Sequence, residues 1–156
     1  MDQKFAKLVE MLAPKLEQLL AMQPLHYGIL PTKMPKSGIY LFTESGKHLY
    51  VGRSNRLRAR YFLHCRPGSQ HNQATFAFQL ARESTGRTTA AYRAGEGSRA
   101  GQMRDDAFST AFSFAKERIR GMEYRYVEEV DQNRQALLEI YAATVLGTKY
   151  NDFGTH

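Results

Sequence analysis

A phenol, a guanidinium, an imidazole and a lone carboxylate stand in this chain at spacings that allow a shared site. Arg60 offers a planar fork of donors that suits phosphate oxygens. Glu139 offers oxygen ligands to a hard divalent cation such as Mg²⁺, which keeps several waters of its own. Tyr40, Tyr50 and His64 carry protons that can be shared or moved. Asn151 supplies an amide able to bridge backbone groups. Such a set suits work on a phosphodiester, where phosphate charge is offset, water is activated and a leaving oxygen is assisted. Each residue also has a plainer reading. A lone Glu on an apolar helix is commonly the partner of a buried arginine, and Arg60 is the expected one. Tyr50 suits a strand tyrosine packed on a sheet, His64 a core histidine, and Asn151 a turn residue.

The elements that must position these groups are legible in outline. Gly38-Ile39-Tyr40-Leu41-Phe42 and His48-Leu49-Tyr50-Val51-Gly52 flank the turn Glu44-Ser45-Gly46-Lys47, the pattern of a β-hairpin. Ser54 is expected to cap a helix carrying Arg56, Arg60 and His64 on one face, with Leu57, Tyr61 and Phe62 turned to a core. Residues 3–22 repeat apolar positions at helical spacing, and Pro14 predicts a kink or a second helix start. Arg66-Pro67-Gly68-Ser69 is a break; a second helix is expected over 71–83, with Phe76, Phe78 and Leu80 partly buried. Residues 84–103 suit a mobile loop, and Asp105 or Asp106 caps a helix ending at Gly121. Alternation from Met122 to Val130 predicts a third strand, and 133–146 a helix bearing Glu139 and stopped by Gly147.

In this order and spacing the motifs resemble the GIY-YIG nuclease family. Gly38-Ile39-Tyr40 is similar to the first signature triplet and Tyr50-Val51-Gly52 to the second, with Val in place of Ile. Arg60 and His64 match the family's Arg and His (or Tyr) of the first helix, Glu139 its metal-binding glutamate and Asn151 its closing asparagine. Arg53 falls where some members carry Lys or Arg. The resemblance covers about residues 37–151. It implies an α/β (α+β) fold with a small, mainly antiparallel three-stranded sheet flanked by helices. Here an extra N-terminal helical segment, residues 1–23, precedes it in a single domain spanning 1–156, and residues 66–104 form an insertion. It further implies a metal-dependent endonuclease acting on DNA. Tyr40 is the general base for water, its phenol made more acidic by Arg53 or a metal, Mg²⁺ or Mn²⁺. Glu139 is the metal ligand and Arg60 the phosphate clamp. Tyr50 orients groups or joins the hydrogen-bond network. His64 orients Tyr40 or the phosphate, or assists proton transfer. The alternative is a non-catalytic nucleic-acid-binding protein that keeps the fold.

Charge agrees with a polyanionic partner. The net charge is +7, yet no Asp or Glu occurs between Ser45 and Ala81. Lys47, Arg53, Arg56, Arg58, Arg60, Arg66 and Arg82 fall in that stretch or end it, and the remaining chain is balanced. Lys47, Arg56, Arg58 and Arg66 are therefore the expected DNA contacts, with RNA left open. One cysteine, Cys65, excludes an internal disulfide framework and a cysteine-rich zinc site, and suits a reducing, cytoplasmic compartment. No apolar run approaches a membrane span, and Met1-Asp2-Gln3-Lys4 lacks the shape of a secretory leader. Gly95-Glu96-Gly97 lacks the strand-to-helix setting of a nucleotide loop, and no Ser/His/Asp pattern stands out. The target, homodimerisation and a protein partner stay open. If about five of these cations meet phosphates, log affinity for DNA falls against log salt with a slope of roughly −4 to −5. Titration at several salt concentrations measures it, and a flat response removes the docking face.

Overall fold

The structure is a computed structural model that describes residues 1–86 and 106–154. Along the chain run α1 (Gln3–Glu10), α2 (Leu12–Ala21), β1 (Gly38–Glu44), β2 (Lys47–Ser54), α3 (Leu57–Cys65) and α4 (Thr75–Ser84). They are followed by α5 (Asp106–Arg120), β3 (Glu123–Glu128) and α6 (Gln132–Leu146). The fold is mixed α and β, with a three-stranded antiparallel sheet in the order β2-β1-β3. Two compact units make up the chain: Met1–Arg60 with Met122–His156, and Tyr61–Gly121. The expected loop over 84–103 and the alternative cap Asp105 lie almost wholly outside the described residues, as does much of the expected 66–104 insertion.

The first unit is built on the hairpin. Ser45 and Gly46 both take left-handed backbone angles, φ 51° and 77°, which matches a tight two-residue connection to the twist of the strands. Cross-strand pairing sets Tyr40 opposite Gly52 and Phe42 opposite Tyr50, then shifts between Phe42 and Thr43. On the other side of β1, Tyr40 faces Tyr126 and Phe42 faces Tyr124. The period-two rule then sorts the side chains. Ile39, Leu41, Val51 and Val127 share one face, where they pack with Leu12, Leu16 and Leu19 of α2 and Leu138 and Ala142 of α6. Tyr40, Phe42, Tyr50, Tyr124 and Tyr126 share the opposite, aromatic face. Gly38 is required by a close approach: a Cβ there would fall on the Val127 carbonyl.

The N-terminal apolar stripe resolves into two helices divided at Met11, with Pro14 in the first turn of α2, where its missing N–H costs nothing. The cap expected at Ser54 is displaced. Ser54 remains paired with Gly38 at the end of β2, its hydroxyl accepts from the Arg56 N–H at 2.9 Å, and the helix starts at Leu57. β3 is shorter than the alternation suggests, although the Glu129 N–H still donates to the Ser37 carbonyl at 3.0 Å, in register with the β1 pairing. α6 has its Asp131 cap, which accepts from the Arg134 N–H at 2.8 Å, and its left-handed Gly147 stop.

In the second unit, the helix expected over 71–83 begins only at Thr75. Residues 70–74 form a separate turn, held by the Gln73 and Ala74 amides on the Gln70 carbonyl. Phe76, Phe78 and Leu80 are fully buried rather than partly so, and Phe108, Phe112 and Ile119 of α5 are buried with them. Phe78 meets Phe108 edge-on at 5.2 Å between ring centroids. Lys116 is buried beside them. Its ammonium lies over the Phe112 ring and donates to the Pro67 and Ser69 carbonyls at 2.6 and 2.8 Å. Burial pushes its pKa down, and the two carbonyls satisfy its donors. This lysine ties the break after α3 onto α5.

Candidate active site

The polar groups of the first unit gather around the Tyr40 phenol. Tyr40 stands on the central strand and is fully buried, within an aromatic cluster. Its ring lies 5.8 Å from Phe42, 5.9 Å from Tyr124 and 6.4 Å from Tyr50. What gives the ring its direction is Gly52 on β2. A Cβ at position 52 would fall on the Cζ and hydroxyl of Tyr40, so the phenol can cross β2 only because residue 52 lacks a side chain. Arg60, on the first turns of α3, donates from Nε to the Tyr40 hydroxyl at 3.5 Å, the long end of the hydrogen-bond range. Tyr50 is a second partner of the same guanidinium. Arg60 thus joins Tyr40 and Tyr50 in one hydrogen-bonded group.

Arg53 and Glu139 approach from the apolar face of the sheet. Arg53 pairs with Ile39 across the hairpin and so points to the side on which α6 packs. There its Nε lies 3.7 Å from the Glu139 carboxylate. The arginine partner expected for Glu139 was Arg60; the structure has Arg53 instead, because Arg60 is engaged with the two tyrosines. Burial pushes the Glu139 carboxyl above its ordinary value, and the Arg53 charge offsets part of that rise.

The cations of the protein by themselves do not make Tyr40 more acidic than an ordinary phenol. Its pKa is pushed strongly upward, first by burial, then by Tyr50 and more weakly by the Glu139 charge. Arg60, not Arg53, is the cation that pulls it down, through its charge and its hydrogen bond, and it does not prevail. The reason is that desolvation of a fully buried phenol outweighs one neighbouring guanidinium shared between two phenols. In the protein alone Tyr40 is a neutral hydroxyl.

Asn151 holds the edge of the sheet. Its Oδ1 accepts from the Val51 N–H and the Thr148 hydroxyl, and its Nδ2 donates to the Val51 carbonyl, each at 2.7 Å. One side-chain amide therefore supplies both hydrogen bonds that a further strand would give Val51, next to Gly52. Two residues missed by sequence reading do similar work. Gln132 and Gln135 of α6 both donate to the Asn55 Oδ1, at 2.8 and 3.0 Å, and the Asn55 Nδ2 donates back to Gln132 at 3.1 Å. Buried Gln135 also donates to the Glu129 carbonyl at 2.7 Å. This amide clamp fixes the link between β2 and α3, hence the spacing of Arg53 and Arg60. The available signal was Gln135, one helical turn before Glu139.

The remaining candidates are placed as follows. His64 follows Arg60 by one turn on α3 but belongs to the second unit, where it is buried and meets Phe76 edge-on at 6.4 Å. The face of Arg56, Arg60 and His64 is not a solvated cationic stripe: Arg56 is exposed, Arg60 half-buried and His64 buried. Lys47 is exposed at the hairpin turn and Arg66 after α3. Arg58 is exposed, yet its guanidinium donates to the Pro31 carbonyl and, at 3.3 Å, to that of Thr32.

Among the described residues no three His, Cys, Asp or Glu side chains come together as metal ligands. The donor set therefore does not suit zinc or a cage of carboxylates. It does fit a hard cation taken by Glu139 alone with water and phosphate completing the shell, because the carboxylate is already paired to a positive charge. No helix among the described residues is long and apolar enough to cross a membrane.

No protein-family model, curated protein or solved structure matches the chain.

The Tyr40–Gly52 crossing makes a quantitative expectation. Gly52→Ala destabilises the protein by about 1–3 kcal/mol through overpacking. In a Tyr40→Ala background the same substitution costs far less, because the ring it strikes is gone. Urea midpoints of the four proteins measure the coupling; equal costs in both backgrounds would show that the ring does not depend on Gly52.

Proposed function

We propose that this protein is a metal-dependent endonuclease that hydrolyses phosphodiester bonds in DNA. The observation that carries the reading is the convergence on the Tyr40 hydroxyl of Arg60 and, through Gly52, of the β2 edge that bears Arg53 against Glu139. Four elements supply these groups, and a fold alone has no need of a phenol, two guanidiniums and a carboxylate in that relation.

In this reading Arg60 receives the scissile phosphate. Its fork already faces oxygen acceptors, and phosphate oxygens are stronger acceptors than phenols. Moving towards phosphate lowers the share of its charge spent on Tyr40 and Tyr50. Tyr40 accepts a hydrogen bond from Arg60, and while burial holds it neutral it can orient water but cannot take a proton from it. To act as the base it must first lose its own proton to solvent, and added positive charge beside it favours the phenolate that can then accept a proton from water. A divalent cation, Mg²⁺ or Mn²⁺, held by Glu139 supplies Lewis-acid stabilisation of phosphate charge and part of that positive field. With Glu139 holding such a cation, Arg53 would be available to meet phosphate. Asn151 on the outer edge of β2 and the Asn55 clamp beyond its end keep the strand in register.

Lys47, Arg56, Arg58 and Arg66 are proposed to follow the flanking backbone, and DNA is preferred to RNA on the resemblance alone. The setting is proposed to be reducing and cytoplasmic. A second reading, a non-catalytic nucleic-acid-binding protein, is favoured by one observation: the Arg53–Glu139 pair neutralises the sole candidate metal ligand.

Nicking of supercoiled plasmid decides between them. Wild type is expected to nick with Mg²⁺ and not with EDTA. Tyr40→Phe and Glu139→Ala are expected to lose at least about 100-fold in rate while circular dichroism and DNA affinity stay near wild type. Full activity in a folded Glu139→Ala protein would overturn the metal assignment. Wild type that binds tightly but never nicks supports the second reading.

The pH profile follows from Glu139. Its ionised form binds the cation, and burial raises its folded pKa, so activity grows as pH rises through a point above the ordinary glutamate value. Ionisation of this buried group is also harder in the folded than in the unfolded chain, so it works against stability over the same window. Arg53→Met removes the charge that opposes the rise, and the acid limb should move to higher pH. A limb unmoved by that substitution would show that another group sets it.

A further inference from the structure

We infer that the turn His26–Ile29 is a stacking platform for an unpaired nucleobase of the bound strand, an inference that rests on the proposed nucleic-acid reading. The Ile29 N–H donates to the His26 carbonyl at 3.1 Å, and the two residues between are both left-handed, Tyr27 at φ 57° and Gly28 at φ 77°. A glycine takes that backbone freely, whereas a tyrosine is strained in it. The other described left-handed residue that is not glycine is Ser45, a small residue at a hairpin turn.

Burial of the Tyr27 ring does not offset the strain. Tyr40, Tyr61 and Tyr124 are buried, but Tyr27 is 63% exposed and Ile29 75% exposed. The His26 ring lies beside that of Tyr27, 6.0 Å between centroids and 28° from parallel. A strained backbone thus presents an exposed tyrosine ring stacked beside a partly exposed imidazole.

The turn is fastened to the elements that carry the candidate site. Leu25 exchanges two hydrogen bonds of 2.9 Å with Tyr124, whose ring touches that of Tyr40. Arg58, two residues before Arg60, holds the Pro31 and Thr32 carbonyls. The Lys36 carbonyl accepts from the Leu57 N–H at 2.8 Å, at the head of α3. Arg58 therefore serves as a loop anchor, a use that its place among basic residues did not reveal.

Charge selects the occupant. From Gln18 to Arg60, within the first unit, the chain has seven Lys and Arg residues and one carboxylate, Glu44. Rings displayed within so cationic a stretch suit a polyanion with flat faces. A protein partner would be expected to meet a broader apolar patch and some acidic residues. In a duplex the base faces are covered by their neighbours, so a ring of this kind meets a base only where the strand is unpaired. The substrate class is accordingly DNA with a single-stranded segment.

Fluorescence anisotropy in EDTA tests this without cleavage, using a labelled single-stranded oligonucleotide and its matched duplex. Tyr27→Ala is expected to weaken single-strand binding about tenfold or more and duplex binding less than about twofold. Tyr27→Phe keeps the ring and should bind as wild type. Tyr27→Gly should lose as much single-strand affinity as Tyr27→Ala while melting at a higher temperature, since it relieves the strain; a structural role would not separate these two readouts. Equal single-strand affinity in wild type and Tyr27→Ala overturns the inference and leaves the nuclease proposal standing. Equal losses on both DNA forms also overturn it. Wild type that binds neither form overturns the nucleic-acid reading itself.

Discussion

The candidate site depends on the absence of one side chain. Because Gly52 has no Cβ, the Tyr40 ring passes over β2 instead of standing upright on the central strand. That crossing brings the hydroxyl to Arg60 and within the field of Glu139, which belongs to a helix on the opposite face. With any larger residue at 52 the phenol and the carboxylate would be separated by the sheet. The apparatus around β2 can be understood as support for this crossing. Asn151 pairs both backbone groups of Val51, the Tyr150 N–H donates to the Leu49 carbonyl, and Asn55 is clamped by α6. An edge strand so fastened cannot slip by a residue, and a slip of one would exchange its two faces.

Two opposing electrostatic effects meet at this crossing. Burial disfavours the charged forms of both Tyr40 and Glu139, and the arginines favour them. Glu139 has Arg53 to itself, whereas Tyr40 shares Arg60 with Tyr50. The site without ligands is therefore balanced towards neutrality at the phenol and towards a closed ion pair at the carboxylate. Added charge of either sign would alter that balance: a phosphate draws the arginines and a cation draws the carboxylate. Such a site rests in a satisfied state, in keeping with the rarity of unpaired charge in protein interiors.

Local patterns in the sequence carried much of the fold. The hairpin was legible because alternation and a Ser-Gly turn point to the same structure, and α6 because Asp131 and Gly147 bound an apolar run. The misplaced starts of α3 and α4 have a common cause. Ser54 and residues 70–74 satisfy their hydrogen bonds in competing local structures, a strand end and a separate turn, which cap preferences do not register.

The sequence by itself determined which chemical groups exist, their order, the hairpin and the basic excess around it, whereas the register shift between Phe42 and Thr43 that sets Tyr40 opposite Gly52 belongs to the folded sheet. Tertiary structure decided the partners. That Glu139 meets Arg53 rather than Arg60, and that Arg58 anchors a loop, follow from which sheet face and which carbonyls lie within reach. Burial likewise made the phenol weaker as an acid, although the nearby cations suggested the reverse. The physical reason is one of range. Propensity and periodicity act over a few neighbours in sequence, whereas desolvation and charge pairing depend on groups that only folding brings together.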